Sequence, residues 1–416
     1  MSQLVMRRSN LNSLPALTPP EELIIHTEDE RSKESWERII SDAFGGVHKY
    51  DMMTSDPAYA PDRVYFVREH TQDAAVSAAF TRAEYPGEGY VHMVGCHSWA
   101  RGIGAGYWAV LSCLHRFQRD GLSSAVLTTD DWRLAAIATY LKLGFEPVMA
   151  DEDHPARWAE VRKKLAEYKK RDMSPIYLWP RGEAPYRDKA PGQGEPRLTP
   201  FPAEGSRGAM IVCPGGGYRA LAWYEGDPIS RMIRAAGISA YTLTYRLLPA
   251  PLDAPLADVK RAIRLLRSMG YEKVGVMGFS AGGHLSCMAA VRWDSGDPEA
   301  SDPVERYSSR PDAFGPCYGA VELPEWAGEV RKEFDGPSQV KGDTPPAFIW
   351  HTVTDEMVSI RQPMKLMDAL IGAGVPFESH LYPTGRHGLG LAFGTSAEGW
   401  AELMQKWLLK LGFGRE

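Results

Sequence analysis

The feature that most constrains this chain is the stretch KVGVMGFSAGGHL at residues 273–285. An apolar run stops at Gly278-Phe279-Ser280-Ala281-Gly282, and small and apolar residues then resume. A run without polar alternation suits a strand covered on both faces, as in a parallel sheet with helices on each side. Glycines at 278 and 282 allow a strand-to-helix turn sharp enough to lift the Ser280 hydroxyl above the sheet edge. The helix that follows adds its positive end and an exposed amide at Ala281.

The same alternation runs through everything after residue 205. Residues 209–216 (AMIVCPGG), 237–247 (GISAYTLTYRL), 347–353 (AFIWHTV) and 377–383 (FESHLYP) read as strands. Between them, residues 257–270 (ADVKRAIRLLRSMG) put Val259, Ile263 and Leu266 on one helical face, with Gly270 placed as a stop. Residues 361–375 read as another helix, and a last one carries Trp400, Leu403, Met404, Trp407, Leu408 and Leu411 on one stripe. Strands alternating with helices make an α/β unit, a mostly parallel sheet with helices on both faces.

A neutral serine is a poor nucleophile without a positioned base, and the base needs an orienting carboxylate. When a serine sits at such a turn, the partners follow in the order acid, then histidine. Asp355 comes directly after the strand 347–353, and His387 lies in the loop TGRHGLGL after the strand 377–383. Glu356 stands beside Asp355, which is the preferred carboxylate. His284, His351 and His380 fall on a helix or within strands, where packing or hydrogen-bonding roles are commoner. An acyl-transfer site also needs amides aimed at the developing oxyanion. CPGGGY (213–218) ends a strand with three glycines, so Gly216, Gly217 and Ala281 are the expected donors.

With these residues assembled, the chain from about residue 174 onward resembles the acetyl-esterase and acetylxylan-esterase-like branch of the α/β-hydrolases. The segments that carry the likeness are YLWP, CPGGGY, YRLLPAPLDAPLADVKRAIRLLR, GFSAGGHL, SSRPDAF, TDEMV and GRHGLGL. The resemblance implies an α/β-hydrolase fold and hydrolysis of short acyl esters, acetyl groups on sugars among them. It implies Ser280, Asp355 and His387 as catalytic residues, with no cofactor. Only a modest insertion, about residues 293–310, follows the helix after Ser280, which favours small ester substrates over long-chain lipids. A serine peptidase on the same fold is the rival reading; the chain has no propeller domain and no evident acidic site for a peptide amine.

Ahead of this part, residues 89–121 read as strand, glycine loop and helix. In Arg101-Gly102-Ile103-Gly104-Ala105-Gly106 the amides converge on a helix N-terminus, a ready anion site. Dinucleotide binding competes, but the acidic residue expected after a second strand is not evident. The chain continues instead as SAVLTTDDWRLAAIATYLKLGFEPV. Together these segments resemble the GCN5-related N-acetyltransferase (GNAT) superfamily over about residues 22–150, an α+β domain. The resemblance implies acetyl-CoA as co-substrate. The loop residues Arg101, Gly102, Gly104, Ala105 and Gly106 would hold the pyrophosphate, and backbone from Val94 to Cys96 would lie along the pantetheine arm. Tyr140 would protonate the leaving thiolate. Asp131-Trp132 stands where many relatives carry an Asn. Glu84, Glu88 and His92 lie near the central strands, but none is identifiable as a general base.

The expected organisation is a flexible lead-in over 1–20, a GNAT-like domain over 21–150, a helical linker over 151–173 and a hydrolase over 174–416. At 416 residues the chain suits two cores. A net charge of −6 excludes the basic excess that phosphate-backbone binding needs, so nucleic acid is not an expected partner. Five scattered cysteines without metal-ligand spacing read as buried thiols of a reducing compartment. No signal-peptide core and no membrane-length apolar stretch is visible, and the expected location is cytoplasmic.

Overall fold

The computed structural model describes residues 2–69, 72–168, 174–189, 192–323 and 330–415. The chain separates into two compact units, Met1–Asp172 and Met173–Glu416. The expected end of the linker, at residue 173, lies outside the described residues.

The first unit has strands β1 (Leu4–Arg8), β2 (Leu23–His26), β3 (Val64–Glu69), β4 (Gln72–Phe80), β5 (Gly89–Cys96), β6 (Ala125–Thr129) and β7 (Glu146–Val148). Its helices are α1 (Ser32–Phe44), α2 (Asp51–Thr54), α3 (Ala105–Arg119), α4 (Leu134–Lys142) and α5 (His154–Tyr168). The strands form one sheet in the order β2-β3-β4-β5-β6-β1-β7. Alternation along β3 divides the core: Tyr65 packs with α3, α4 and α5, whereas Val64 and Phe66 pack with α1 and α2.

Two expectations fail here. The lead-in is not loose, because β1 lies inside the sheet, antiparallel to both β6 and β7. Leu4 and Met6 are fully buried, and Arg7 on the other face donates to both Glu88 oxygens at 2.9 and 3.0 Å. Five residues of alternation are too few to stand out beside a Pro-rich stretch. The expected linker helix is also misread: α5 buries Trp158, Val161 and Leu165, an i, i+3, i+7 stripe, in the core of this unit. Its abundant charge occupies the remaining faces.

The second unit has β8 (Ile176–Tyr177), β9 (Arg197–Phe201), β10 (Gly208–Cys213), β11 (Ser239–Thr244), β12 (Lys273–Phe279), β13 (Phe314–Cys317), β14 (Ala347–Thr352) and β15 (Phe377–Tyr382). Helices α6 (Asp227–Ala235), α7 (Asp253–Ser268), α8 (Ala281–Val291), α9 (Val330–Glu333), α10 (Arg361–Ala373) and α11 (Trp400–Lys410) accompany them. The sheet runs β15-β14-β13-β12-β10-β11-β9-β8, parallel from β15 through β11 and antiparallel at β9 and β8. From β10 the chain steps one way to β11, then returns to place β12 on the other side. That reversal opens a crevice beyond the strand ends, where open α/β sheets put their sites. Cys213 and Gly278 are paired in register, so the loops after β10 and β12 leave the sheet side by side.

Candidate functional site

In the second unit, Ser280 has φ 52° and ψ −116°, a strained conformation for a residue with a side chain. The local sequence makes that turn possible. A Cβ at Gly278 would lie 2.1 Å from the Gly282 carbonyl oxygen, and one at Gly282 would lie 2.0 Å from that of Cys213. Ser280 donates its amide to the Cys317 carbonyl at 3.2 Å, and its own carbonyl accepts from Ala320 at 3.2 Å. The nucleophile candidate is thus fixed by backbone on both sides.

The loops after β14 and β15, adjacent strands, bring the other two residues to it. His387 Nε2 lies 2.8 Å from Ser280 Oγ, and His387 Nδ1 lies 2.7 Å from Asp355 Oδ2. Asp355 Oδ1 accepts the amides of Met357 and Val358, both at 2.9 Å. Burial raises the Asp355 carboxyl, but hydrogen bonds from His387 and these amides outweigh it and hold the group below the usual carboxylate value. Glu356 is exposed. His351 is buried, 2.8 Å from the Val358 carbonyl, and burial lowers its pKa. His380 bonds Glu378 at 3.0 Å.

Beside Ser280 runs the glycine loop after β10. Gly216 and Gly217 have φ of 120° and 62°, and a Cβ at Gly216 would strike the Ala220 carbonyl at 2.2 Å. The amides of Gly216, Gly217 and Ala281 have no acceptor among the described residues. That of Ala281 is in the first turn of α8, where helical amides lack intrahelical partners. Side chains hold the loop from below: Tyr245 Oη donates to the Pro214 carbonyl at 2.5 Å, and Tyr218 Oη meets His284 Nδ1 at 2.8 Å. His284 Nε2 lies 2.8 Å from the Phe334 carbonyl, so this ring is fully engaged away from the serine. Sequence reasoning missed Glu225 and Tyr318. Glu225 accepts the Gly215 amide and the Tyr318 hydroxyl, and nothing in its spacing from the motifs signals it.

In the first unit, β5 and β6 pair in parallel only through Gly89–Ala125 and Tyr90–Val126. A bulge follows, with Met93 at φ 46°, and the region of Val94 to Cys96 has no partner on β6. Val94 packs against the core that α3, α4 and α5 share with the sheet, and Cys96 is half-buried. The glycine loop then turns through Gly102 (φ 99°) and Gly104 (φ 86°) into α3, whose first residues are Ala105 and Gly106; Arg101 is exposed. The strand is thus open on its β6 side only and leads to a glycine-lined helix N-terminus, a setting that suits an extended anionic group.

Tyr140 on α4 is buried at 5% exposure, and burial pushes its phenol well above the usual value. Asp131 is engaged by Arg157 of α5 at 2.5 and 3.0 Å, while Trp132 is exposed. Glu88 is taken by Arg7, Glu84 is exposed, and His92 stacks on Phe80 at 5.2 Å. Burial, then Arg82, lowers the His92 pKa to about 4. Asp42 of α1, also missed, accepts the Ser98 amide at 2.5 Å and lies 2.7 Å from His97 Nδ1, tying α1 to the end of β5.

A serine at a strained turn of a doubly covered parallel sheet, with acid and histidine on the following strand loops, defines the second unit as an α/β-hydrolase. Comparison with known proteins agrees and extends this. Residues 253–412 match the prolyl oligopeptidase family, and residues 33–145 match the acetyltransferase (GNAT) family. An acetyl ester-xyloside bifunctional hydrolase from Caldicellulosiruptor lactoaceticus is similar in structure, with a TM-score of 0.54 and 38% identity; the match covers 58% of this chain and 97% of that one. The acetylxylan esterase of Xylanibacter ruminicola is 27% identical over 253 residues, 54% of this chain and 50% of that protein. The mycothiol acetyltransferase of Nocardia farcinica is 34% identical over 103 residues, 24% of this chain and 30% of that protein. The chain belongs to the acetyl-esterase and acetylxylan-esterase-like α/β-hydrolases in its C-terminal part, with a GNAT domain at its N-terminus. It spans 30–53% of the length of the curated relatives it matches. No helix among the described residues is long and apolar enough to cross a membrane.

Proposed function

We propose that the hydrolase unit cleaves short-chain esters, acetyl esters of saccharides in particular, through an acyl-enzyme on Ser280. The reading is carried by the two consecutive hydrogen bonds from Ser280 through His387 to Asp355. Ser280 Oγ attacks the acyl carbonyl as its proton passes to His387 Nε2, and Asp355 steadies the imidazolium. The amides of Gly216, Gly217 and Ala281 receive the oxyanion. Collapse returns the proton to the leaving alkoxide, and water repeats the sequence to release the acid. The neutral rim of glycines beside the serine suits an uncharged acyl group.

In the GNAT domain, residues 101–106 and the backbone of 94–96 would hold acetyl-CoA, which supplies an activated acetyl thioester for an amine. Tyr140, kept protonated by burial, would give its proton to the leaving thiolate. A domain that binds acetyl-CoA without transferring it is the second reading, favoured by the fact that Glu88 and Asp131 are both occupied by arginines. The proposed location is cytoplasmic, where acetyl-CoA is available.

The test is Ser280→Ala in the full chain. It should abolish p-nitrophenyl acetate hydrolysis and leave acetyl-CoA binding by calorimetry unchanged; loss of neither or of both counts against the assignment. Acetyl, butyryl and peptide substrates assayed together separate esterase from peptidase, and an amine panel with acetyl-CoA separates transferase from sensor.

A further inference from the structure

Beneath the hydrolase site runs a second chain of hydrogen bonds that includes none of those made by Ser280, His387 and Asp355 to one another. Glu225, only 1% exposed, uses both carboxylate oxygens: Oε2 accepts the Gly215 amide at 2.8 Å, and Oε1 accepts the Tyr318 hydroxyl at 2.6 Å. The Tyr318 oxygen in turn accepts the Gly390 amide at 2.9 Å. Gly215 directly precedes the two loop glycines proposed to bind the oxyanion, and Gly390 closes the loop that carries His387. Tyr318, at the C-terminal end of β13, also sets its ring edge against the His387 imidazole, with centroids 5.3 Å apart and planes at 74°. Gly390 is held from its other side by Trp400 Nε1, 3.0 Å from its carbonyl.

We propose that Glu225 is a positioning residue for the esterase reaction, which locks the oxyanion loop and the histidine loop into one rigid frame through Tyr318. The proposal rests on the esterase reading given above. Two donors, an amide and a phenol, converge on one buried point, so the group there must be an acceptor on both sides. A carboxylate meets that need; an amide side chain offers only one acceptor oxygen. Burying a carboxylate is costly, and a fold gains little stability from it over a well-packed neutral group. Burial accordingly raises the Glu225 pKa, against hydrogen bonds from Tyr318 and Gly215 and the charge of His387. Tyr224 and the buried Tyr245 and Cys317 are the other titratable groups near it. The imidazolium at His387 and the oxyanion form only as Ser280 attacks, and the frame holds the loops that carry both in register at that moment. The arrangement therefore acts on the transition state more than on bound ester.

The experiment compares wild type, Glu225→Gln, Tyr318→Phe and the double variant in the full chain, with Ser280→Ala in parallel. Read-outs are kcat and KM for p-nitrophenyl acetate, the rate of Ser280 labelling by a fluorophosphonate, and Tm. Glu225→Gln should lower kcat and the labelling rate by the same factor, roughly 10–100-fold, with KM and Tm little changed. The double variant should be no slower than Glu225→Gln, because both changes break one frame. Unchanged kcat in a folded Glu225→Gln protein overturns the proposal. So does a loss that multiplies with Tyr318→Phe, or one that tracks a fall in Tm. If wild type neither turns over the ester nor takes the label, the esterase reading itself is at fault. If wild type is active and Ser280→Ala is not, only the frame is being judged.

Discussion

Replacing Gly282 with alanine sets two physical effects against each other in one methyl group. Gly282 is in the first turn of α8 at an ordinary helical φ, and alanine is the better helix former by about 1 kcal/mol. Propensity alone therefore predicts a more stable protein. The structure predicts the reverse, because the new Cβ would lie 2.0 Å from the Cys213 carbonyl oxygen and 2.5 Å from that of Pro214. Both obstacles are backbone, so no side-chain rotation relieves them. A tolerable contact requires the elbow and the β10 end to separate by about 1 Å. Overpacking of this kind costs about 1–3 kcal/mol, and two rigid carbonyls put it at the upper end. The net loss is about 2 kcal/mol after the propensity gain, a fall in Tm of roughly 4–8 °C for a unit of this size. The same 1 Å opens the gap between Ser280 and the glycine loop, so ester hydrolysis should drop about 100-fold. Gly372→Ala, in the exposed part of α10 with nothing within 4 Å, is the control and should raise stability by up to about 1 kcal/mol. Thermal unfolding and p-nitrophenyl acetate turnover on the two variants decide the matter. A Gly282→Ala protein as stable and active as wild type would show that close backbone approach does not shape the elbow.

Three further outcomes follow from the structure. His284 is fully buried, with burial lowering its pKa from 6.5 to about 4, so below pH 6.5 the unfolded chain takes up a proton that the folded one refuses. Stability of the hydrolase unit is therefore highest above that pH and falls by about 3 kcal/mol as pH drops toward 4; urea unfolding at pH 7 and 4.5 measures it, and His284→Gln should flatten the trend. Trp158→Ala should cost the N-terminal unit about 3–5 kcal/mol if α5 belongs to its core, and a thermal transition unmoved by the change would return α5 to the status of a linker. Gly104→Val forces a branched side chain into φ 86° at the start of α3, and should weaken acetyl-CoA binding by calorimetry more than 10-fold while leaving ester hydrolysis intact.

What the sequence made legible was local chemistry tied to a strong periodic signal. Seven residues of β12 and the glycines at 278 and 282 foretell a strand, a sharp turn and a helix, because the backbone there admits no larger residue. That Ser280, Asp355 and His387 would meet was readable from chain order, since each follows a strand that ends on the same sheet edge. What stayed hidden was whatever depends on contacts between distant segments. Glu225 looks like any surface glutamate of a W-Y-E-G turn until Gly215 and Tyr318, 10 and 93 residues away, are seen to converge on it. Strand β1 gives five residues of weak alternation, and only its pairing with β6 and β7, more than a hundred residues on, explains the burial of Leu4 and Met6. Asp131 stands where many relatives carry an Asn, and only the structure shows that it is paired with Arg157 of the misread helix α5. The pairing of Arg157 with Asp131 stays hidden for the same reason that α5 was misread, because a helix taken for a linker cannot be credited with the arginine it contributes to the domain.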